Sequence, residues 1–95
     1  MRNYELLLII SPEVAEEDIP GTIDKVGSYL TAKGGTIGET TRWGKKKLAY
    51  PIDRHKEGNY VLARLEMEPD HVAELEANLR ISEKVLRHLV VRLDA

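Results

Sequence analysis

Ninety-five residues make one domain, 1–95, with no room for a second core. At 42% hydrophobic and 32% charged residues with no cysteine, the balance is that of a soluble globular chain, and disulfides, thiolate metal sites and a cysteine nucleophile are excluded. The net charge of −2 conceals an island: residues 42–56 hold six basic side chains and one acidic, between acidic flanks at 1–41 and 57–79.

The opening Met1-Arg2-Asn3-Tyr4-Glu5 lacks a signal-peptide core, so a cytoplasmic protein is expected. The longest apolar run, Leu6–Ile10, is far short of the ~20 residues a membrane span needs, and no membrane contact is expected. Residues 4–10 are apolar and stopped by Ser11-Pro12, which favours a strand over a helix. Residues 13–33 place Ile19, Ile23, Val26 and Leu30 on one helical stripe. Glu16, Glu17 and Asp18 suit the positive end of that helix, and Pro20 is tolerable in its first turn. Gly34-Gly35 ends it, the first glycine in a C′ position.

Residues 36–52 are rich in Thr, Ile, Trp, Leu and Tyr and form one long strand, whose far end Pro51 restricts to an edge or an exit. Residues 53–59 are polar, contain Gly58 and are expected as a hairpin loop. Residues 60–67 alternate, with Val61, Ala63, Leu65 and Met67 on one face and Tyr60, Leu62, Arg64 and Glu66 on the other. Pro69 fits the first position of a second helix, which buries Val72, Leu75 and Leu79. Residues 85–93 form the last strand.

The order strand, helix, strand, strand, helix, strand is the ferredoxin-like split βαβ arrangement, an α+β fold. Right-handed crossovers put both helices on one face of a four-stranded antiparallel sheet. Leu6, Leu8 and Ile10 face those helices, so Leu7 and Ile9 join Tyr60 and Leu62 on the open face. The last strand adds Leu89 and Val91, or Leu86 and Val90, according to its parity. A contiguous apolar patch marks an interaction site, and an RNA backbone, which wants charge, matches it poorly. A protein partner matches it better, by burial of the face or by strand addition along residues 36–52. Self-association through the same face is the competing use.

No constellation reads as an active site. His55, His71 and His88 fall on a loop, a helix start and a strand, without metal-ligand spacing. Ser11, Ser28 and Ser82 have no nucleophile-elbow context, and Gly34-Gly35 precedes a strand rather than a helix, so it is no phosphate loop. No cofactor is expected. The basic island is more informative, because Arg42-Trp43-Gly44-Lys45-Lys46-Lys47 sets an indole among cations and Tyr50 follows. Aromatics interleaved with Lys and Arg offer stacking beside phosphate contacts, a common device for RNA. A solvated hairpin tip whose lysines deter aggregation accounts for the charges but not for Trp43 and Tyr50.

The run Trp43-Gly44-Lys45-Lys46-Lys47-Leu48-Ala49-Tyr50-Pro51-Ile52, followed by Gly58-Asn59-Tyr60, resembles the signature of the bacterial small-subunit ribosomal protein six family. The start Met1-Arg2-Asn3-Tyr4-Glu5 and the order of elements are similar too, so the resemblance covers residues 1–93. It implies the ferredoxin-like fold, no catalysis, and binding to the central domain of small-subunit ribosomal RNA as a heterodimer with small-subunit protein eighteen. Two departures are visible. Lys45, Lys46 and Lys47 stand where the family often has arginine, keeping charge without bidentate geometry. The sequence also stops at Ala95 without the polar or acidic tail of many members, so no partner contact is assigned to such a tail.

On this reading the RNA-facing residues are Arg2, Arg42, Trp43, Lys45, Lys46, Lys47, Arg54, Lys56, Arg87 and Arg92, with Trp43 either stacking or packing. The partner interface is formed by Leu7, Ile9, Tyr50, Tyr60, Leu62 and Leu89, and the hydroxyls of Tyr4 and Tyr50 anchor strand ends. The alternative is a small-molecule-binding or enzymatic module on the same fold, acting as a dimer. An enzyme of the acylphosphatase kind needs a phosphate-cradling loop with Arg and Asn after the first strand, and Ser11-Pro12-Glu13-Val14 supplies neither. A stand-alone single-strand RNA binder needs exposed aromatics on the central strands, a pattern that residues 60–64 lack.

Overall fold

The computed structural model describes residues 1–52 and 54–93. Its elements are β1 (Arg2–Ile10), α1 (Ile19–Ala32), β2 (Thr36–Ile52), β3 (His55–Met67), α2 (Val72–Arg80) and β4 (Val85–Arg92). Short 3-10 turns, Glu16–Asp18 and Pro69–His71, lead into the two helices. The strands form one sheet in the order β2-β3-β1-β4, every neighbouring pair antiparallel. This is the expected ferredoxin-like α+β arrangement.

The first helix starts later than its periodicity suggests. The Ser11 hydroxyl accepts the Glu13 N–H at 3.2 Å and the Ser11 carbonyl accepts the Val14 N–H at 3.1 Å, which holds the chain in a turn past Pro12. At its other end Gly34 takes φ 81°. Its N–H reaches the Thr31 carbonyl at 3.1 Å while Gly35 N–H reaches that of Leu30 at 2.7 Å, the paired bonds of a Schellman cap. A Cβ at Gly35 would stand 2.4 Å from the Glu66 carbonyl oxygen, so the turn into β2 lies directly on β3.

Tyr4, Leu6, Leu8 and Ile10 of β1 and Val61, Ala63, Leu65 and Met67 of β3 form one face of the sheet. Against it pack Ile19, Val26 and Leu30 of α1 and Leu75 and Leu79 of α2. Each large aliphatic side chain so buried contributes about 1.5–3 kcal/mol. Tyr4, expected at a strand end, is buried in this cluster at 5% exposure. The parity of β4 is settled by its pairing with β1. Val90 sits opposite Leu6 and packs against the core, whereas Leu89 sits opposite Leu7 and Val91 opposite Glu5, on the face without helices.

The polar stretch expected as a loop is mostly strand. Lys45, Lys46 and Lys47 pair with Asn59, Gly58 and Glu57, and Ile52 pairs with His55. Ile10, the last residue of β1, lies opposite Asn59, so this part of the hairpin runs beyond the main sheet as a two-stranded arm. Both faces of the arm meet water over much of its length, which is why its composition resembles a loop. Arg54 turns the chain with φ 69°; Asp53, part of the expected loop, lies outside the described residues.

Candidate nucleic-acid and partner interfaces

The arm does not project straight from the sheet. Between Lys47 and Ile52 the register slips, and residues 48–51 of β2 stand against Lys56 alone on β3. The surplus chain folds back over the open face. Leu48 is buried there, and the place a Gly58 Cβ would fill lies 3.7 Å from Leu48 Cδ2 and 2.5 Å from Ile9 Cγ2. Glycine at position 58 is thus a packing requirement. Tyr50 reaches β4, where its hydroxyl accepts a hydrogen bond from the Arg87 guanidinium.

Leu7, Ile9, Leu48, Tyr50, Tyr60 and Leu89 line a groove of about 250 Å³ under this fold-back. Five of the six residues expected for a partner interface therefore converge, and Leu62 continues the face beside Leu7, its partner in the ladder. One needs correction as a surface residue. Ile9 lies on the open face but is only 8% exposed, because the arm covers it. The outward-facing apolar surface comes instead from Tyr50, Leu89 and Val91, exposed by 55%, 54% and 44%. Leu48, Ala49 and Ile52 also line the groove, outside the expected interface set, although they belong to the run that carries the family resemblance.

The ten expected RNA residues do not form one patch. Lys45, Lys46, Lys47, Arg54 and Lys56 lie exposed on the arm. By register Lys46 shares the open-face side of Gly58, and Lys45 and Lys47 the opposite side. Arg42 is tied to the helix layer, its guanidinium 2.8 Å from the Glu16 carboxylate. Trp43 lies against Tyr60, with ring centroids 6.4 Å apart and planes inclined by 19°. It therefore belongs to the open-face side.

Arg87 lies on that face too, engaged with Tyr50, its guanidinium carbon 5.9 Å from the ring centre. Arg2 and Arg92 sit at the other end of the sheet, where Arg2 pairs with Met67 and Arg92 with Tyr4. The length of β1, roughly 27 Å at the usual strand rise, separates them from the arm. They are not part of the arm's charge cluster. Sequence charge counts could not reveal this division, since it follows from which strand ends meet.

Away from these surfaces the polar groups are structural. His88 faces α2, with its Nε2 3.4 Å from a Glu76 carboxylate oxygen. The Tyr29 hydroxyl donates to the His71 carbonyl at 3.2 Å, and Lys33 lies 3.6 Å from Glu74, fastening α1 to α2. Burial, with the Glu74 carboxylate nearby, pushes the Tyr29 hydroxyl above the usual tyrosine range. Among the described residues no group of three or more His, Asp and Glu could hold a metal ion, and no helix is long and apolar enough to cross a membrane.

Comparison with known proteins places the chain in a family. The family model described as Ribosomal protein S6 matches residues 3–92. The small ribosomal subunit protein bS6 of Fusobacterium nucleatum is 46% identical over 94 residues, covering 99% of this chain and all of that protein. The protein of the same name from Desulforamulus reducens is 41% identical over 92 residues, 97% of each chain. Among solved structures, the crystal structure of 30S ribosomal protein S6 from Thermotoga maritima superposes with a TM-score of 0.87 at 29% identity. That match covers 96% of this chain and 86% of the other. The chain belongs to the bacterial ribosomal protein S6 family, and with that family it is a structural, non-enzymatic protein of the small ribosomal subunit, hence cytoplasmic.

Proposed function

We propose that this chain, a single-domain protein of residues 1–95, binds the central domain of small-subunit ribosomal RNA as a heterodimer with small-subunit protein eighteen. The observation that carries the reading is the division of the molecule into two surfaces of opposite chemistry. The arm offers exposed cations at positions 45–47, 54 and 56, suited to phosphates. The open face offers an apolar groove with exposed Tyr50 and Leu89, suited to a protein side chain or helix. The helix layer carries Glu16, Glu17, Asp18, Asp24, Glu74 and Glu76 against Lys25, Lys33 and Arg80, a net negative charge that disfavours a polyanion. RNA is therefore met by the arm while the partner covers the sheet.

The register breaks in β2 favour partner docking on the face over strand addition along its edge, since an interrupted ladder is a poor template for another strand. The test is reconstitution. The chain is mixed with a central-domain RNA fragment, with and without protein eighteen, and binding is followed across a salt series. Tight, salt-dependent binding only when both proteins are present supports the reading. Equal binding by the chain alone overturns the heterodimer.

A further inference from the structure

We infer that Trp43 and Tyr60 form a stacking platform for one unpaired RNA base, with Lys46 meeting the adjoining phosphate. This rests on the RNA-binding reading above and adds to it a nucleobase subsite. The two rings lie nearly parallel, inclined by 19°, so Tyr60 supports one side of the indole. Trp43 nevertheless remains 48% exposed, and among the described residues Tyr60 supplies the one ring stacked against it. A large aromatic flanked by a second, offset-stacked ring, with its own surface half open, is preorganised for another planar group.

The backbone accounts for this placement. Arg42 pairs with Val61 and Gly44 with Tyr60, so Trp43 is an extra residue in β2 at a bulge, a feature that re-aims side chains. Gly44 takes φ 79° there, a conformation natural to glycine, with open space where a Cβ would stand. Arg42 thereby reaches Glu16 on the helix side while Trp43 meets Tyr60 on the other. Lys46 shares the side of Gly44 and Tyr60, two residues or about 7 Å farther along the strand.

The surroundings select the occupant. Trp43 lies on the outer strand next to the cations at 45–47, whereas the apolar floor of the groove comes from Leu7, Ile9 and Leu89 on β1 and β4. A nucleotide supplies a π-face for the indole and an anion for Lys46 together. An apolar protein side chain would satisfy the first and leave the second unmatched.

The test uses the chain with its open-face partner and a central-domain RNA fragment. Trp43→Ala is expected to weaken RNA binding about 5- to 150-fold with the salt slope unchanged, because stacking releases no counterions. Trp43→Phe should retain most of the affinity, and Lys46→Ala should lower the slope by about 0.7–0.9. Unchanged affinity in Trp43→Ala would show that the indole only packs on Tyr60, overturning the platform while leaving RNA binding intact. Loss of partner capture by Trp43→Ala would give the indole to the protein interface and overturn it likewise. Absence of RNA binding by the wild-type complex would remove both the platform and the reading beneath it.

Discussion

The guanidinium of Arg87 donates to the hydroxyl of Tyr50 and lies 5.9 Å from the centre of its ring, although the two residues belong to opposite outer strands of the sheet. They meet because the arm folds over β3 and β1 at Leu48. The contact clasps the cationic hairpin to the face that the partner is proposed to cover, so the angle between the two surfaces is held before either ligand arrives.

Removing the clasp should loosen the arm more than it weakens the fold. Tyr50→Phe keeps the ring but loses the acceptor, and its global stability is expected to fall by no more than about 1 kcal/mol in urea unfolding, since both groups are exposed. Native-state amide exchange across residues 45–58 should accelerate. Leu48→Ala, which uncovers Ile9, should cost more, about 2 kcal/mol.

The arm's lysines should act through charge alone. Replacing Lys45, Lys46 and Lys47 together with Ala is expected to lower the salt slope of RNA binding by about 0.7–0.9 for each phosphate that is no longer neutralised. Stability should stay within about 0.5 kcal/mol, because all three are exposed. Arg42→Ala should change affinity much less, since that guanidinium is already held by Glu16. Equal losses from Arg42→Ala and Lys46→Ala in filter binding would contradict this assignment.

On the open face, Leu62→Glu places a carboxylate beside Leu7 without entering the core. The expected result is a folded chain with an unaltered circular dichroism spectrum that no longer co-purifies with protein eighteen and binds RNA weakly. Retained co-purification would move the partner to another surface.

The two adjacent glycines should respond differently. Gly34→Ala meets only the cost of a left-handed conformation, roughly 1–2 kcal/mol. Gly35→Ala drives a methyl group into the Glu66 carbonyl of β3 and should cost more, about 3 kcal/mol, with visible loss of thermal stability. A smaller penalty at Gly35 than at Gly34 would mean that β3 yields there.

Much of the fold was legible because its periods are clean. The alternation over Val61, Ala63, Leu65 and Met67 and the stripe of Ile19, Val26 and Leu30 each bury as read, and Thr36–Ile52 is one strand from end to end. Four features were not legible. The parity of β4 was undecidable because both of its faces are apolar, and only the pairing of Leu7 with Leu89 separates them. The arm's strand character was hidden because pairing beyond the sheet requires no apolar side. The covering of Ile9 and the side taken by Trp43 both follow from register slips in β2, and a bulge leaves little trace in sequence beyond a glycine such as Gly44. The family run from Trp43 to Ile52 carries no sign that it bends back over the open face.

β1 lies between β3 and β4, whose first residues are His55 and Val85. The strand synthesised first is thus the one that must wait for its neighbours on both sides. At an elongation rate of about 5–20 residues per second, Leu6–Ile10 stays without its second ladder for roughly 4–17 s while the rest of the chain is made. β1 can pair with β3 once Met67 is made, but its other edge keeps its N–H and C=O groups unpaired until β4 arrives, along the most apolar segment of the chain. A copy lacking residues 85–92 therefore presents an open strand edge on β1, a template on which another chain could pair.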